Sequence, residues 1–242
     1  MELVNVVAGY RSPVVRCSAS IGRGEFVAFL GPNGAGKTTM LRTMAGLLPP
    51  ISGKVLLDGR DVYAMSGSER ARKIALATTA RTRVRMTCRE FVGMGRFPYT
   101  GRMGILTGAD RDQVQRALSF LELEGEADRS VDELSDGLRQ RAVLARALCQ
   151  QTDVILLDEH TSYLDVRYRL STLHFLKALT REGITVVCSL HEPGLAKRIA
   201  NRLLLVKDGE VTQQEPDTWT EQDIADLYDV SPELLLEYGG DV

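Results

Sequence analysis

From Phe26 the sequence runs through Phe26-Val27-Ala28-Phe29-Leu30 into Gly31-Pro32-Asn33-Gly34-Ala35-Gly36-Lys37-Thr38-Thr39, and then into a helical run ending near Gly46. The middle stretch fits the spacing G-x-x-x-x-G-K-[ST], and an apolar strand before it and a helix after it are the setting that spacing requires. Glycines let the backbone curl so that successive N–H groups converge on one anion, and the helix N-terminus adds its partial positive charge at the same point. An accidental glycine-rich turn would not be expected to match at nine positions in that setting. The stretch predicts a phosphate cradle in which Lys37 reaches the β- and γ-phosphates of a nucleotide and the Thr38 hydroxyl ligates Mg²⁺.

Such a magnesium site needs a second anchor, and Val154-Ile155-Leu156-Leu157-Asp158 offers one. A carboxylate after four apolar residues is costly to bury without a cation to face. Glu159 follows and is placed to address the water that attacks a γ-phosphate. Short apolar runs at Leu3–Val7, Val14–Ser20, Glu25–Leu30, Lys54–Leu57, Ile74–Ala77, Asp153–Leu157, Ile184–Ser189 and Arg202–Val206 read as strands. Helical spacing appears over Arg111–Leu123, Leu138–Leu148, Leu170–Leu179 and Thr220–Tyr228, and no strand is expected from about residue 86 to 150. Parallel strands separated by helices imply an α/β sheet covered on both faces.

The 242 residues suffice to bury a core without staples, and 44% hydrophobic with 26% charged residues is a globular composition. No apolar run approaches the length of a bilayer span and no secretory signal is visible, so a soluble, cytoplasmic chain is expected. Its four cysteines, Cys17, Cys88, Cys149 and Cys188, are scattered and read as reduced, mostly buried thiols. Net charge is −2, but residues 70–89 hold seven basic residues and no acid, while residues 208–242 hold eleven acids and no Lys or Arg. Solvated surface is the bland explanation of both runs, and a docking surface the sharper one. No Ser/His/Asp system, glycosidase-type carboxylate pair or His-Glu-x-x-His competes with the nucleotide site.

Leu134-Ser135-Asp136-Gly137-Leu138-Arg139-Gln140 stands between the phosphate loop and Asp158. It resembles the L-S-G-G-Q run of ATP-binding cassette (ABC) ATPases, and nearly the whole chain resembles the ATPase subunit of an ABC transporter. The resemblance implies an α/β P-loop NTPase (RecA-like) core with an antiparallel β subdomain and an inserted α-helical subdomain. It divides the chain into a core with β subdomain (1–85 and 151–215), a helical signature subdomain (86–150) and an acidic tail (216–242). It also implies that Gly31, Pro32, Asn33, Gly34, Ala35, Gly36, Lys37, Thr38 and Thr39 bind ATP, with Tyr10 stacked on adenine. Ser135 and Gly137 would cap the nucleotide of a second subunit, and Asp165, in Ser162-Tyr163-Leu164-Asp165, would cross the dimer interface. Thr38 and Asp158 would hold Mg²⁺, while Glu159, His191 and Lys37 would be catalytic, His191 as the switch that orients Glu159 and water.

Glu90-Phe91-Val92-Gly93-Met94-Gly95-Arg96-Phe97-Pro98-Tyr99, Ser189-Leu190-His191-Glu192 and the tail Ile224–Val230 resemble importers for iron chelates, haem and cobalamin. An ATP-hydrolysing importer subunit is therefore expected, paired with a second ATPase subunit as a homodimer. Separate transmembrane permease subunits and, indirectly, a solute-binding protein would be its partners, with no nucleic acid, and its place would be the inner face of the cell membrane. The alternatives are a soluble ABC ATPase acting on nucleic acid or ribosomes, and a regulatory cassette with weak hydrolysis not coupled to a permease.

Several positions depart from the family pattern. Thr79 stands where the family carries a metal-sensing Gln, and its hydroxyl would reach a metal only through water. Asp136 replaces the first signature glycine. At about 8 Å from a γ-phosphate and ε near 20, repulsion of about 2 kcal/mol per charge would outweigh its favourable place at a helix N-terminus, so it is expected to point away. Leu138 removes the reciprocal capping-box bond to Ser135. His160 takes the place of a Pro and reads as a surface imidazole.

Overall fold

The computed structural model describes residues 1–78, 85–101, 103–158 and 166–233. Its strands are β1 (Glu2–Gly9), β2 (Pro13–Ser20), β3 (Phe26–Leu30), β4 (Ser52–Leu57), β5 (Arg60–Asp61), β6 (Ile74–Thr78), β7 (Val154–Asp158), β8 (Thr185–Ser189), β9 (Arg202–Lys207) and β10 (Glu210–Gln214). Its helices are α1 (Lys37–Met44), α2 (Gly67–Ala71), α3 (Cys88–Gly93), α4 (Gly108–Phe120), α5 (Asp136–Cys149), α6 (Val166–Arg181), α7 (Pro193–Ile199) and α8 (Glu221–Tyr228), joined by short 3-10 turns.

All ten strands form one sheet in the order β5-β4-β1-β2-β10-β9-β3-β8-β7-β6. From β9 to β6 neighbouring strands run parallel, whereas β1, β2, β4 and β5 pair antiparallel. β10 joins the blocks, antiparallel to β9 and parallel to β2 through Glu210↔Arg16 and Val211↔Cys17. Every residue of β3, β7 and β8 is buried, as expected for parallel strands covered on both faces. The two-residue period divides them between two cores. Phe26, Ala28 and Leu30 join residues of α3 to α8, while Val27 and Phe29 join Met40, Leu41 and Met44 of α1 and the inner residues of β1 and β2.

Between residues 86 and 150 the described residues hold helices and one isolated bridge, Thr87↔Ser130, in line with the absence of strands there. Asp58 and Gly59, at φ 50° and 76°, make the expected turn after β4, which leads into β5. The helix expected over Arg111–Leu123 instead runs Gly108–Phe120. Thr107 and Asp110 form a reciprocal capping box that starts it earlier than its apolar rows suggest, and Glu122 at φ 52° ends it. β10 was not legible because its side chains are mostly polar and half-exposed, although Asp208-Gly209 before it repeats the hairpin signal of Asp58-Gly59. All four cysteines are free and buried.

One buried ion pair ties the helical segment together. Arg96 donates from Nε to Asp110 at 2.9 Å, with both side chains 8% exposed, and from Nη1 to the Cys149 carbonyl at 2.9 Å and Gln151 at 2.8 Å. Hydrogen bonds from the Thr107 hydroxyl and backbone N–H, and then from Arg96, hold the Asp110 pKa down at about 2. Because the folded value lies below the unfolded value of about 3.9, this stabilisation is complete above pH 4 and lost as pH falls through 2. In urea melts between pH 5 and 2, Asp110→Asn is therefore expected to show a shallower loss of stability than wild type. Parallel curves would refute it.

Candidate phosphate-binding site

β3 delivers the chain to the glycine-rich loop at the C-terminal edge of the parallel strands. Gly31 has φ 144°, and a Cβ there would collide with the Val206 carbonyl of β9. Gly36, at φ 107°, is the N-cap of α1, and a Cβ there would lie 2.9 Å from Val15 Cβ. Both positions combine a backbone conformation that favours glycine with no room for a side chain. The loop turns through Ala35 N–H donating to the Pro32 carbonyl at 3.3 Å, and α1 begins with Met40 N–H donating to the Gly36 carbonyl at 2.9 Å. Among the described residues no side chain caps α1, and its first turn holds no acid, which suits its N-terminal donors to an anion.

Lys37 is 5% exposed and folds back on the loop, donating from Nζ to the Gly31 carbonyl at 2.6 Å and the Pro32 carbonyl at 2.9 Å. Thr38 Oγ1 donates to Asp158 Oδ1 at 3.0 Å, although 120 residues separate the two. Asp158 is the last residue of β7, pairs with Thr78 of β6 and is 7% exposed, so it does not simply face solvent at a strand end. Ser189, fully buried at the end of β8, donates to the same Oδ1 at 3.5 Å. Sequence reasoning gave Ser189 no part here. The signal was its place at the end of an apolar strand, but its approach to Asp158 depends on the β7–β8 pairing. Beneath the carboxylate, burial and then the Asp158 charge push the Cys188 thiol up to about 12, which keeps it protonated and unreactive.

The donor set suits a magnesium ion. A hydroxyl and a carboxylate are hard oxygen ligands, and among the described residues no cluster of three or more His, Cys, Asp or Glu exists to cage a metal. An ion here would take its other ligands from phosphate and water, the usual habit of Mg²⁺.

The remaining candidates divide into three groups. Tyr10, just after β1, is 60% exposed and accepts a hydrogen bond on Oη from Arg42 Nη1 of α1 at 2.9 Å. His191 follows β8 and is exposed, which excludes a buried core histidine, and its neighbour Glu192 pairs with Arg169 at 2.5 Å. The loop, Asp158 and His191 thus all lie at the C-terminal ends of the neighbouring strands β3, β7 and β8. Ser135 and Gly137 open α5 instead and share no hydrogen bond with the loop among the described residues. Ser135 Oγ accepts from Leu138 N–H at 3.3 Å without a reciprocal bond, as the Leu138 departure predicts, and Asp136 is exposed. Thr79, Glu159, His160 and Asp165 lie outside the described residues.

A parallel sheet whose strand edge carries this loop, a buried helix-start lysine and a threonine–aspartate pair defines a phosphate-loop nucleotide-binding domain. The sequence model of the ABC transporter family matches residues 14–162, and the chain belongs to that family. It is 39% identical over 193 residues to the ferric enterobactin transport ATP-binding protein of Escherichia coli (strain K12), covering 79% of this chain and 71% of that protein. It is 44% identical over 195 residues to the cobalamin import ATP-binding protein of Halobacterium salinarum, covering 80% of this chain but 48% of that longer protein. Among solved structures, a dimeric ATP-binding cassette in a post-hydrolysis state bound to ADP and Pi superposes with a TM-score of 0.79 at 29% identity, covering 90% of this chain and 99% of that one.

Proposed function

We propose that the chain is the ATP-hydrolysing subunit of an ABC importer for an iron complex (siderophore or haem) or cobalamin. The observation that carries the catalytic part is the Thr38–Asp158 contact at 3.0 Å beside an uncapped helix start. The cargo class rests on the ferric enterobactin and cobalamin relatives and on the segment around Arg96 and the tail.

In this reading the loop from Gly31 to Thr39 wraps the phosphates with backbone N–H groups, and Tyr10 stacks on the adenine. Lys37 exchanges the Gly31 and Pro32 carbonyls for phosphate oxygens. Thr38 and Asp158 hold Mg²⁺, which when bound draws charge from the phosphate oxygens. Glu159 orients the attacking water and takes its proton, and His191 supports Glu159. Ser135, Gly137 and Asp165 act on the nucleotide held by a second copy. The core, helical and tail divisions at 1–85 with 151–215, 86–150 and 216–242 follow from the same reading. Among the described residues no helix is long and apolar enough to cross a membrane. In this reading the subunit docks against the inner face of separate permease chains, as the import relatives suggest.

Reconstitution tests this. With its permease pair in vesicles, the protein should hydrolyse ATP only with Mg²⁺ and faster when a cargo-loaded binding protein is present. Asp158→Asn should fold but hydrolyse about 10²-fold more slowly. Turnover indifferent to the permease, or copurification with RNA in its place, would overturn the proposal.

A further inference from the structure

The hairpin that joins β1 to β2 lies against the start of α1. Its turn is tight: Gly9 pairs with Pro13 across it, and a Cβ on Gly9 would fall 2.0 Å from the Ser12 carbonyl oxygen. Just past the turn, Val14 and Val15 are the groups that a Cβ on Gly36 of the phosphate loop would strike. Tyr10 stands on this turn and is 60% exposed. Among the described residues its ring stacks on no other aromatic and meets no guanidinium. Its one side-chain hydrogen bond there is at the tip, where Oη accepts from Arg42 Nη1 at 2.9 Å, 32 residues along the chain. Arg42 is a half-buried residue in the last turn of α1, and it makes no ion pair among the described residues.

An exposed ring on a turn exchanges rotamers freely, and stacking on a flat base freezes it in one, a loss that weakens binding unless the ring is ordered beforehand. A bond from a charged donor is stronger than one between neutral groups. Placed on the hydroxyl, it orders the ring and leaves its faces free to stack. The donor also belongs to the helix that opens at the phosphate loop, with Lys37 and Arg42 about 7.5 Å apart along its axis. We infer that Arg42 is a positioning residue for nucleotide binding: it holds Tyr10 by the hydroxyl, so the ring stands ready for the adenine of a nucleotide whose phosphates lie at the start of the same helix. This inference rests on Tyr10 being the adenine-stacking residue of the proposed site.

The test uses the full-length protein with Mg²⁺ and measures its affinity for ATP and for inorganic tripolyphosphate, which has no base, alongside hydrolysis and melting. Arg42→Met and Tyr10→Phe each remove one end of the bond and keep the ring. Each should raise Kd and KM for ATP about three-fold, equivalent to about 0.7 kcal/mol at 1.4 kcal/mol per decade, with kcat held within about two-fold. Combined, they should weaken ATP binding no further than either alone. Arg42→Lys, which keeps a donor, should bind ATP more tightly than Arg42→Met. Tripolyphosphate affinity and the nucleotide-free Tm should match wild type in all of these. Tyr10→Ala should weaken ATP binding about ten-fold and spare tripolyphosphate. Suppose Tyr10→Ala does so but Tyr10→Phe or Arg42→Met binds ATP like wild type, or the two losses add, or Arg42→Met weakens tripolyphosphate as much as ATP. Arg42 then does not act through Tyr10, and the inference fails by itself. If Tyr10→Ala binds ATP like wild type, the ring is not on the adenine, and this inference falls with that part of the proposed function.

Discussion

Lys37→Ala is expected to lower ATP turnover by about 10³-fold while leaving a folded protein. A unit charge about 4 Å from another at an effective dielectric near 20 interacts by about 4 kcal/mol, close to three decades in rate when that stabilisation is gained as charge builds on the transferring phosphoryl group. Lys37 is well placed for an effect of that size. Its Nζ is buried among loop carbonyls, and α1 has no acid in its first turn to soften the loss. In the nucleotide-free protein the substitution removes the donor from the Gly31 and Pro32 carbonyls, a cost of about 1 kcal/mol each that the fold can bear. Lys37→Arg should rescue little, because a planar guanidinium does not fit where an ammonium sits between two carbonyls. Hydrolysis and analogue binding would be measured on variants whose melting curves match wild type. Turnover within ten-fold of wild type would mean that the loop does not hold the phosphates.

How much of this was legible before the structure depended on how local each signal is. The loop, α1 and β7 are specified by adjacent residues, and Phe26–Leu30 and Val154–Asp158 formed as buried strands close to where their apolar runs placed them. The Thr38–Asp158 contact was foreseeable because a phosphate loop needs an acid on a nearby buried strand. Ser189 was not, since its approach to Asp158 exists only in the register of three parallel strands. β10 and the docking of α8 were hidden for a similar reason: polar side chains lead into both, and pairing partners far along the chain decide where they lie. The basic stretch also changes meaning once folded. Lys73 pairs with Asp153 at 2.6 Å, Arg89 with Asp128 at 3.2 Å, and Arg72 donates to the Pro98 carbonyl at 2.8 Å, so part of the run serves the chain's own joints.

Glu159→Gln should arrest hydrolysis by about 10³-fold and convert ATP into a glue between two copies. Glutamine keeps the size and hydrogen-bonding reach of the side chain but cannot take a proton from water, and loss of a general base costs about 10²- to 10⁴-fold. Binding does not need that proton, so the loaded state persists. In the proposed reading each chain contributes two separate parts of a nucleotide site. The loop, Thr38 and Asp158 lie at the strand edge, while the exposed Ser135 at the start of α5 shares no hydrogen bond with its own loop among the described residues. A second copy turned head to tail can set each α5 start over the other's triphosphate, and the related cassette with ADP and Pi is a dimer. In size-exclusion chromatography with light scattering, Glu159→Gln with Mg²⁺ and ATP should elute at twice the monomer mass and revert to monomer with ADP. Adding Ser135→Arg, which crowds the exposed helix start without touching the loop, should abolish the dimer and spare the affinity for nucleotide. A Glu159→Gln protein that stays monomeric at saturating ATP, both alone and beside its permease, would mean that each copy completes its own pocket and that Ser135, Gly137 and Asp165 have no part in it.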